Sequence, residues 1–343
     1  MQRLITIFLL PALLSYHAHS AVYRGNDAGR ILVLDSDTLT HHYEDERLPF
    51  PLAPGDDCPA ETRCYRTITG SHLEQRGDNW RIRGGATLAP YTPPVHDPAN
   101  RLFATELPYE AALLDDLTFT QSQTTAHNDN AIKLQYWREP VSGLEHFLIS
   151  SGYDDNRDTI NPYLRAQALT TLYARRQCLA ALPADKRAAL DYRVNTEPTY
   201  LSPRYISAHI HEQTPCGYGG HYGITYDIEQ ARGLELEDLL WIGDGAPHLL
   251  ADDAPADQAL RETRAAWLLD ALQAVAPQSM RRYPYRAQDY QYPYFYLTPR
   301  GIYIGPLLPP SKAAHAHPED TILPYDLIKS FDIFEHRTDN NQL

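Results

Sequence analysis

The stretch SAHIHEQTPCGYGGHYGITYD, Ser207 to Asp227, decides how the C-terminal half of this chain folds. It holds three histidines, a cysteine and a cluster of glycines. Ile206, Ala208 and Ile210 alternate with Ser207, His209 and His211, the two-residue period of a strand. Gly217, Gly219 and Gly220 supply the positive-φ positions of a tight turn. His221 to Asp227 then returns as a second strand, so the stretch reads as a β-hairpin. His209 and His211 share one face, and His221 returns opposite them. Three histidines are enough for an open zinc site. The spacing is not specific, however. The chain has 15 histidines, and close pairs recur at His17/His19, His41/His42 and His315/His317. The expectation is a polar strand face with no cofactor. His209, His211 and His221 stand as secondary metal candidates, dispensable for folding.

Beyond the hairpin, YQYPYFYLTPRGIYIGP predicts two aromatic strands about a Pro299-Arg300-Gly301 turn, and DTILPYDLIKSF predicts a closing strand. Tyr292, Tyr294 and Tyr296 fall on one face and Phe295 on the other. Tyrosine combines apolar area with a hydroxyl, and it is enriched at interfaces. Tyr218, His221, Tyr222, Tyr292, Tyr294 and Tyr296 are the expected partner-binding residues. Two helices are predicted. One has Asn161 as N-cap, Pro162 at the first helical position, and an apolar face of Leu164, Ala168, Leu172 and Leu179. The other begins near Pro255, with Leu260, Thr263, Trp267, Ala271 and Val275 as its buried stripe.

Toward the N-terminus, RILVLDSDTLTHHYEDERLPFPL and YRTITGSHLEQRGDNWRIRGGATLAPY alternate between glycine turns, a meander of short strands. Pro90, Pro93, Pro94 and Pro98 then form a stiff connector. The expected fold is α+β: an antiparallel sheet with two packed helices, preceded by a small all-β N-terminal module. The expected divisions are a signal peptide at 1–20, the β module at 21–99 and the α+β domain at 100–343.

MQRLITIFLLPALLSYHAHSAVY has a positive start at Arg3, a short apolar run and small residues before a cut after Ser20. That is a secretory signal pattern, with an apolar run too short to span a bilayer comfortably. The expected location is periplasmic or secreted, with no membrane span after cleavage. Four cysteines in an exported chain predict disulfides. Cys58 and Cys64 share one short loop, which leaves Cys178 with Cys216. The net charge is −14, and loss of Arg3 with the signal takes it to −15. A chain this acidic argues against nucleic acid and anionic membrane, and for a basic partner. No Gly-x-Ser-x-Gly elbow, His-Glu-x-x-His pair or P-loop occurs. Adjacent acids at Asp115-Asp116, Asp154-Asp155 and Asp252-Asp253 read as solvated charge or helix starts.

RYISAHIHEQTPCGYGGHYGITYDIEQARGLELEDLL, FYLTPRGIYIGP with TILPYDLI, and INPYLRAQALTTLYARRQC together resemble a bacterial extracytoplasmic domain. That domain is shared by the lysozyme-sensing part of an anti-sigma factor and the non-catalytic domain of a peptidoglycan N-deacetylase. The resemblance covers roughly residues 115–335. It implies a non-enzymatic cell-envelope binding protein whose partner is a lysozyme-like hydrolase or peptidoglycan. The chain departs from the pattern in lacking a transmembrane helix, a sigma-binding segment and deacetylase motifs. Gly219-Gly220-His221-Tyr222 also departs, since the pattern places a small residue before the histidine. The alternatives are a zinc- or carboxylate-dependent hydrolase of envelope glycan and a purely structural envelope module.

Overall fold

The computed structural model describes residues 21–56, 58–93, 107–128, 131–188, 193–212, 220–243, 247–251 and 254–328. The expected signal peptide, most of the proline connector, Tyr218 and Cys216 lie outside these residues. The fold class is α+β, as the alternation and helical periods predict. Contacts divide the chain into two units. The first comprises residues 1–121, 139–141 and 161–190, and the second comprises 122–138, 142–160 and 191–343. Most of the first long helix, from residue 161 on, falls in the first unit with the N-terminal strands.

In the first unit, strands β1 (Val22–Asp27), β2 (Arg30–Asp35), β3 (Thr40–Tyr43), β4 (Phe50–Pro51) and β9 (Ala89–Pro90) form one sheet in the order β4-β3-β2-β1-β9. Strands β5 (Ala53–Pro54), β6 (Arg63–Arg66), β7 (His72–Arg76) and β8 (Asn79–Ile82) form a second. Alternation on β1 and β2 sorts their residues between two cores. Tyr23, Leu32 and Leu34 pack with Tyr43, Leu73, Trp80 and Ile82. Val22 and Val33 face the other way, onto Tyr109 and Ala112 of helix α1 (Pro108–Leu113). Cys58 and Cys64 are disulfide-bonded with a Cα–Cα separation of 5.7 Å, as their short loop predicts.

Helix α2 (Arg157–Ala181) begins four residues before the expected cap at Asn161. Its first turn is satisfied at Asn156, whose carbonyl accepts from the Ile160 amide at 3.0 Å and the Thr159 hydroxyl at 2.9 Å. Pro162 lies in the second turn, where only the bond to the Asp158 carbonyl is lost. Leu164, Ala168 and Leu172 are buried as the spacing predicts. Cys178 is disulfide-bonded. Short helix α3 (Ala184–Ala188) follows. Asp115 and Asp116 are structural charges: Arg47 pairs with the first, and Arg176 with the second at 2.8 Å.

The second unit is built on a seven-stranded sheet in chain order: β10 (Thr120–His127), β11 (Ile132–Arg138), β12 (Leu144–Ser151), β13 (Val194–Leu201), β14 (Tyr205–Glu212), β15 (His221–Asp227) and β16 (Arg232–Gly233). Among the described strand pairings from β11 to β16, the expected antiparallel pattern has one exception. β12 and β13 run parallel, Leu144 opposite Val194, because α2 and α3 intervene as a crossover. Helix α4 (Leu236–Leu239) and helix α5 (Pro255–Val275) lead through α6 (Pro277–Met280) to a three-stranded sheet: β17 (Tyr294–Thr298), β18 (Gly301–Gly305) and β19 (Ile322–Pro324). Phe295, Leu297, Ile302 and Ile304 from one face of that sheet pack with Leu268 and Leu272 of α5.

Pro255 occupies the first turn of α5 as expected, but the buried face is rotated. Arg261, Arg264, Ala265, Leu268 and Leu272 are buried, whereas Thr263 is exposed and Trp267 half-buried. Neither arginine belongs to the expected stripe. They face inward because their stems are apolar and their heads find partners. Arg261 donates to the Leu250 carbonyl at 2.9 Å, and Arg264 pairs with Glu237.

Candidate functional site: a histidine and tyrosine cluster

The Ser207–Asp227 hairpin is present as predicted, with β14 and β15 antiparallel and His211 directly opposite His221. Its tip, residues 213–219, lies outside the described residues. Gly220, with φ of +65°, enters β15, and its carbonyl accepts the Glu212 amide at 2.6 Å. Alternation places His209 beside His211 on one face. The residue opposite His209 is Gly223. A Cβ there would run into the Phe295 carbonyl and come within 3.2 Å of the Tyr296 nitrogen. The missing side chain therefore lets β17 cross the hairpin at backbone contact. Ser207 ties the same crossing. Its hydroxyl donates to the Ile224 carbonyl at 2.9 Å and accepts the Leu297 amide at 2.9 Å.

This close approach brings the tyrosine face of the small sheet over the histidines. The His209 ring lies 5.1 Å from Tyr296 and 6.3 Å from Tyr294. Tyr296 stacks on Tyr303 at 4.5 Å. These rings also fix the segment between β18 and β19. The Tyr294 hydroxyl lies 3.0 Å from the Ala316 carbonyl, and the Tyr303 hydroxyl donates to the Pro318 carbonyl at 2.9 Å. Between those two carbonyls stands His317. Its Nδ1 is 2.7 Å from the Tyr294 hydroxyl, and its ring lies 4.7 Å from both His209 and His221.

His209 Nε2 and His221 Nδ1 are 3.0 Å apart, one donating and the other accepting. Their rings are inclined by only 4° with centroids 5.2 Å apart, so this bond runs edge to edge in one plane. His317 lies over the pair, and His211 stacks on His221 at 4.4 Å. One ligand atom each from His209, His221 and His317 lies within 4.8 Å of the others. Among the described residues, this is the one such group of three or more His, Cys, Asp or Glu. Burial drives the His209 and His221 pKa values down to about 3, and the charges of neighbouring imidazoles push the same way. Burial lowers His317 to about 4. All three rings are neutral at pH 7 and keep a lone pair for a proton or a metal. Three neutral imidazoles without a carboxylate suit zinc, copper or nickel, and not magnesium or calcium.

The expected contact residues have different placements. Tyr294 and Tyr296 are 9% and 7% exposed. The alternation of β17 was correctly read, but both faces of this sheet are covered, so these two rings form no solvent-facing aromatic surface. Tyr292 precedes the strand and is 37% exposed, its ring under the Arg261 guanidinium at 4.6 Å. Tyr222 is half-buried and pairs with Ile210, on the opposite face from His221. His317 and Tyr303 were missed. The only sequence signal for His317 was its grouping with His315.

No family profile matches this chain. No curated protein matches it either. Among solved structures, it is similar to the crystal structure of a DUF3298 family member from Bacteroides fragilis, at 14% identity and a TM-score of 0.34. That match covers 63% of this chain and 93% of the other.

Proposed function

We propose that the second unit binds a transition-metal ion through His209, His221 and His317. The observation that carries this reading is the convergence of three neutral imidazoles, with donor atoms within 4.8 Å of one another. The shared proton between His209 and His221 stands where an ion would enter. A tetrahedral ion with Zn–N bonds of about 2.0–2.1 Å holds its ligand nitrogens roughly 3.3 Å apart. The 3.0 Å pair opens by about 0.3 Å, gives up the shared proton, and turns each ring so that its lone pair leaves the N···N line and aims at the ion. His317 needs to close by at most about 1.5 Å, within reach of a side-chain rotation. Three ligands leave a fourth position for water or another group. Elemental analysis after zinc incubation and removal of free metal tests the reading. About one equivalent is expected in the wild type and none in the His209→Ala, His221→Ala double variant. Less than a tenth of an equivalent in the wild type would sink it.

A second reading is a non-enzymatic exported protein that binds a basic partner, a lysozyme-like hydrolase in particular. The observation favouring it is the net charge of −14, which draws a cationic partner by long-range attraction. Calorimetry against a basic lysozyme at two ionic strengths tests it. Binding at micromolar concentration that weakens with salt is expected, and no measurable heat would count against this partner.

A further inference from the structure

A neutral imidazole ligates a metal through one nitrogen and carries its proton on the other, and the partner of that second nitrogen fixes which is which. Tyr294 is the partner at His317. Its hydroxyl meets three groups: His317 Nδ1 at 2.7 Å, the Ala316 carbonyl at 3.0 Å and the Tyr303 hydroxyl at 3.4 Å. The Ala316 carbonyl can only accept. Tyr303 directs its own proton to the Pro318 carbonyl at 2.9 Å. A phenol has one proton. With that proton on the Ala316 carbonyl, the Tyr294 oxygen faces His317 with lone pairs, and Nδ1 must be the donor. The lone pair of His317 then sits on Nε2.

The Tyr294 ring is held for this task. Its ladder partner is Gly305, and a Cβ at Gly305 would collide with the Tyr294 ring. The ring thus occupies space that any other residue at 305 would take. The carbonyls on either side of His317 are pinned by two tyrosine hydroxyls, so the backbone that carries the ring is held while the ring itself can turn. Building on the metal reading above, we infer that Tyr294 is a positioning residue. It accepts the Nδ1 proton of His317 and thereby commits Nε2 of that ring to an ion shared with His209 and His221.

The test has two arms. In metal-free wild type, nitrogen-15 spectra of the imidazoles should show His317 protonated on Nδ1 at pH 7, and Tyr294→Phe should shift it toward the Nε2-protonated form. Zinc affinity, measured by competition with a chromogenic chelator, should fall about 10–100-fold in Tyr294→Phe, the usual cost of losing an outer partner. His317→Ala, which removes a ligand, should lose more. Tyr294→Phe keeps the ring, and a cooperative melt confirms that it folds. A wild type that binds no zinc would defeat the metal reading, and the nitrogen-15 arm would still decide the role of Tyr294. An Nε2-protonated His317 in the wild type, or unchanged zinc affinity in folded Tyr294→Phe, would overturn the inference.

Discussion

His41 makes the stability of the first unit depend on pH in a way that can be worked out beforehand. The side chain is fully buried on β3, and Nε2 accepts the Ile68 amide at 3.1 Å. Protonating it would break that bond and leave a buried charge. Burial outweighs the opposing pull of the Phe50 backbone and Asp27, and lowers the pKa from 6.5 to about 4. The unfolded chain takes the proton more readily than the folded one. His41 therefore contributes its full stabilisation above pH 6.5. The contribution is lost as pH falls from 6.5 toward 4, and the loss levels off below that. The gap corresponds to roughly 3 kcal/mol in all, of which about 2 kcal/mol is gone by pH 5. Urea unfolding at pH 7 and pH 5 gives the measurement. Trp80, fully buried in the same unit, serves as reporter once Trp137, Trp241 and Trp267 are changed to Phe. His41→Gln in that background keeps an acceptor for Ile68 but cannot titrate. The wild-type side chain should lose about 2 kcal/mol more than Gln between the two pH values. Equal losses would refute the reasoning, because every other titrating group, His42 included, is common to both proteins.

Gly223→Ala should cost about 3 kcal/mol or more, since its Cβ meets backbone that cannot step aside. A differential scan should show the melting temperature of the second unit lowered by roughly 6–12 °C, and an unchanged melt would contradict the close crossing of β15 and β17. Glu237→Ala leaves Arg264, 6% exposed at its side chain, without its carboxylate. A loss of about 3–5 kcal/mol is expected in denaturant unfolding, with Glu237→Gln costing less. Replacing Cys58 and Cys64 together by Ser opens a loop whose ends are 6 residues apart, and chain entropy sets the expected loss at about 2 kcal/mol. Urea titration of both proteins under non-reducing conditions would show it.

Local pattern carried the fold well and the cluster only in part. The β14–β15 hairpin, the β17–β18 hairpin and both long helices were legible because each is written in a period of neighbouring residues. The rotated face of α5 was not, because Arg261 and Arg264 are buried by partners far along the chain. The same limit applied to the cluster. His209, His211 and His221 share a hairpin, so their meeting follows from strand alternation and register. His317 arrives from roughly a hundred residues downstream, placed by Tyr294 and Tyr303, and nothing within its own segment announces this. Its pairing with His315 looked like chance repetition. The burial of Tyr294 and Tyr296 was hidden for a related reason. Alternation assigned them to a face, but only the crossing at Gly223 reveals that the face is covered.

The hydroxyl of Ser207 has a consequence beyond joining two sheets. β17 is one edge of its three-stranded sheet, and an edge strand offers unpaired amides to any passing extended chain. At Leu297 that amide is already committed to Ser207, and at Phe295 the carbonyl is pressed against the strand backbone of Gly223. The edge is closed by a neighbour that does not pair with it as a strand. The small sheet thus takes no further strand on the β17 side, and that aromatic segment is shielded from intermolecular strand addition and aggregation.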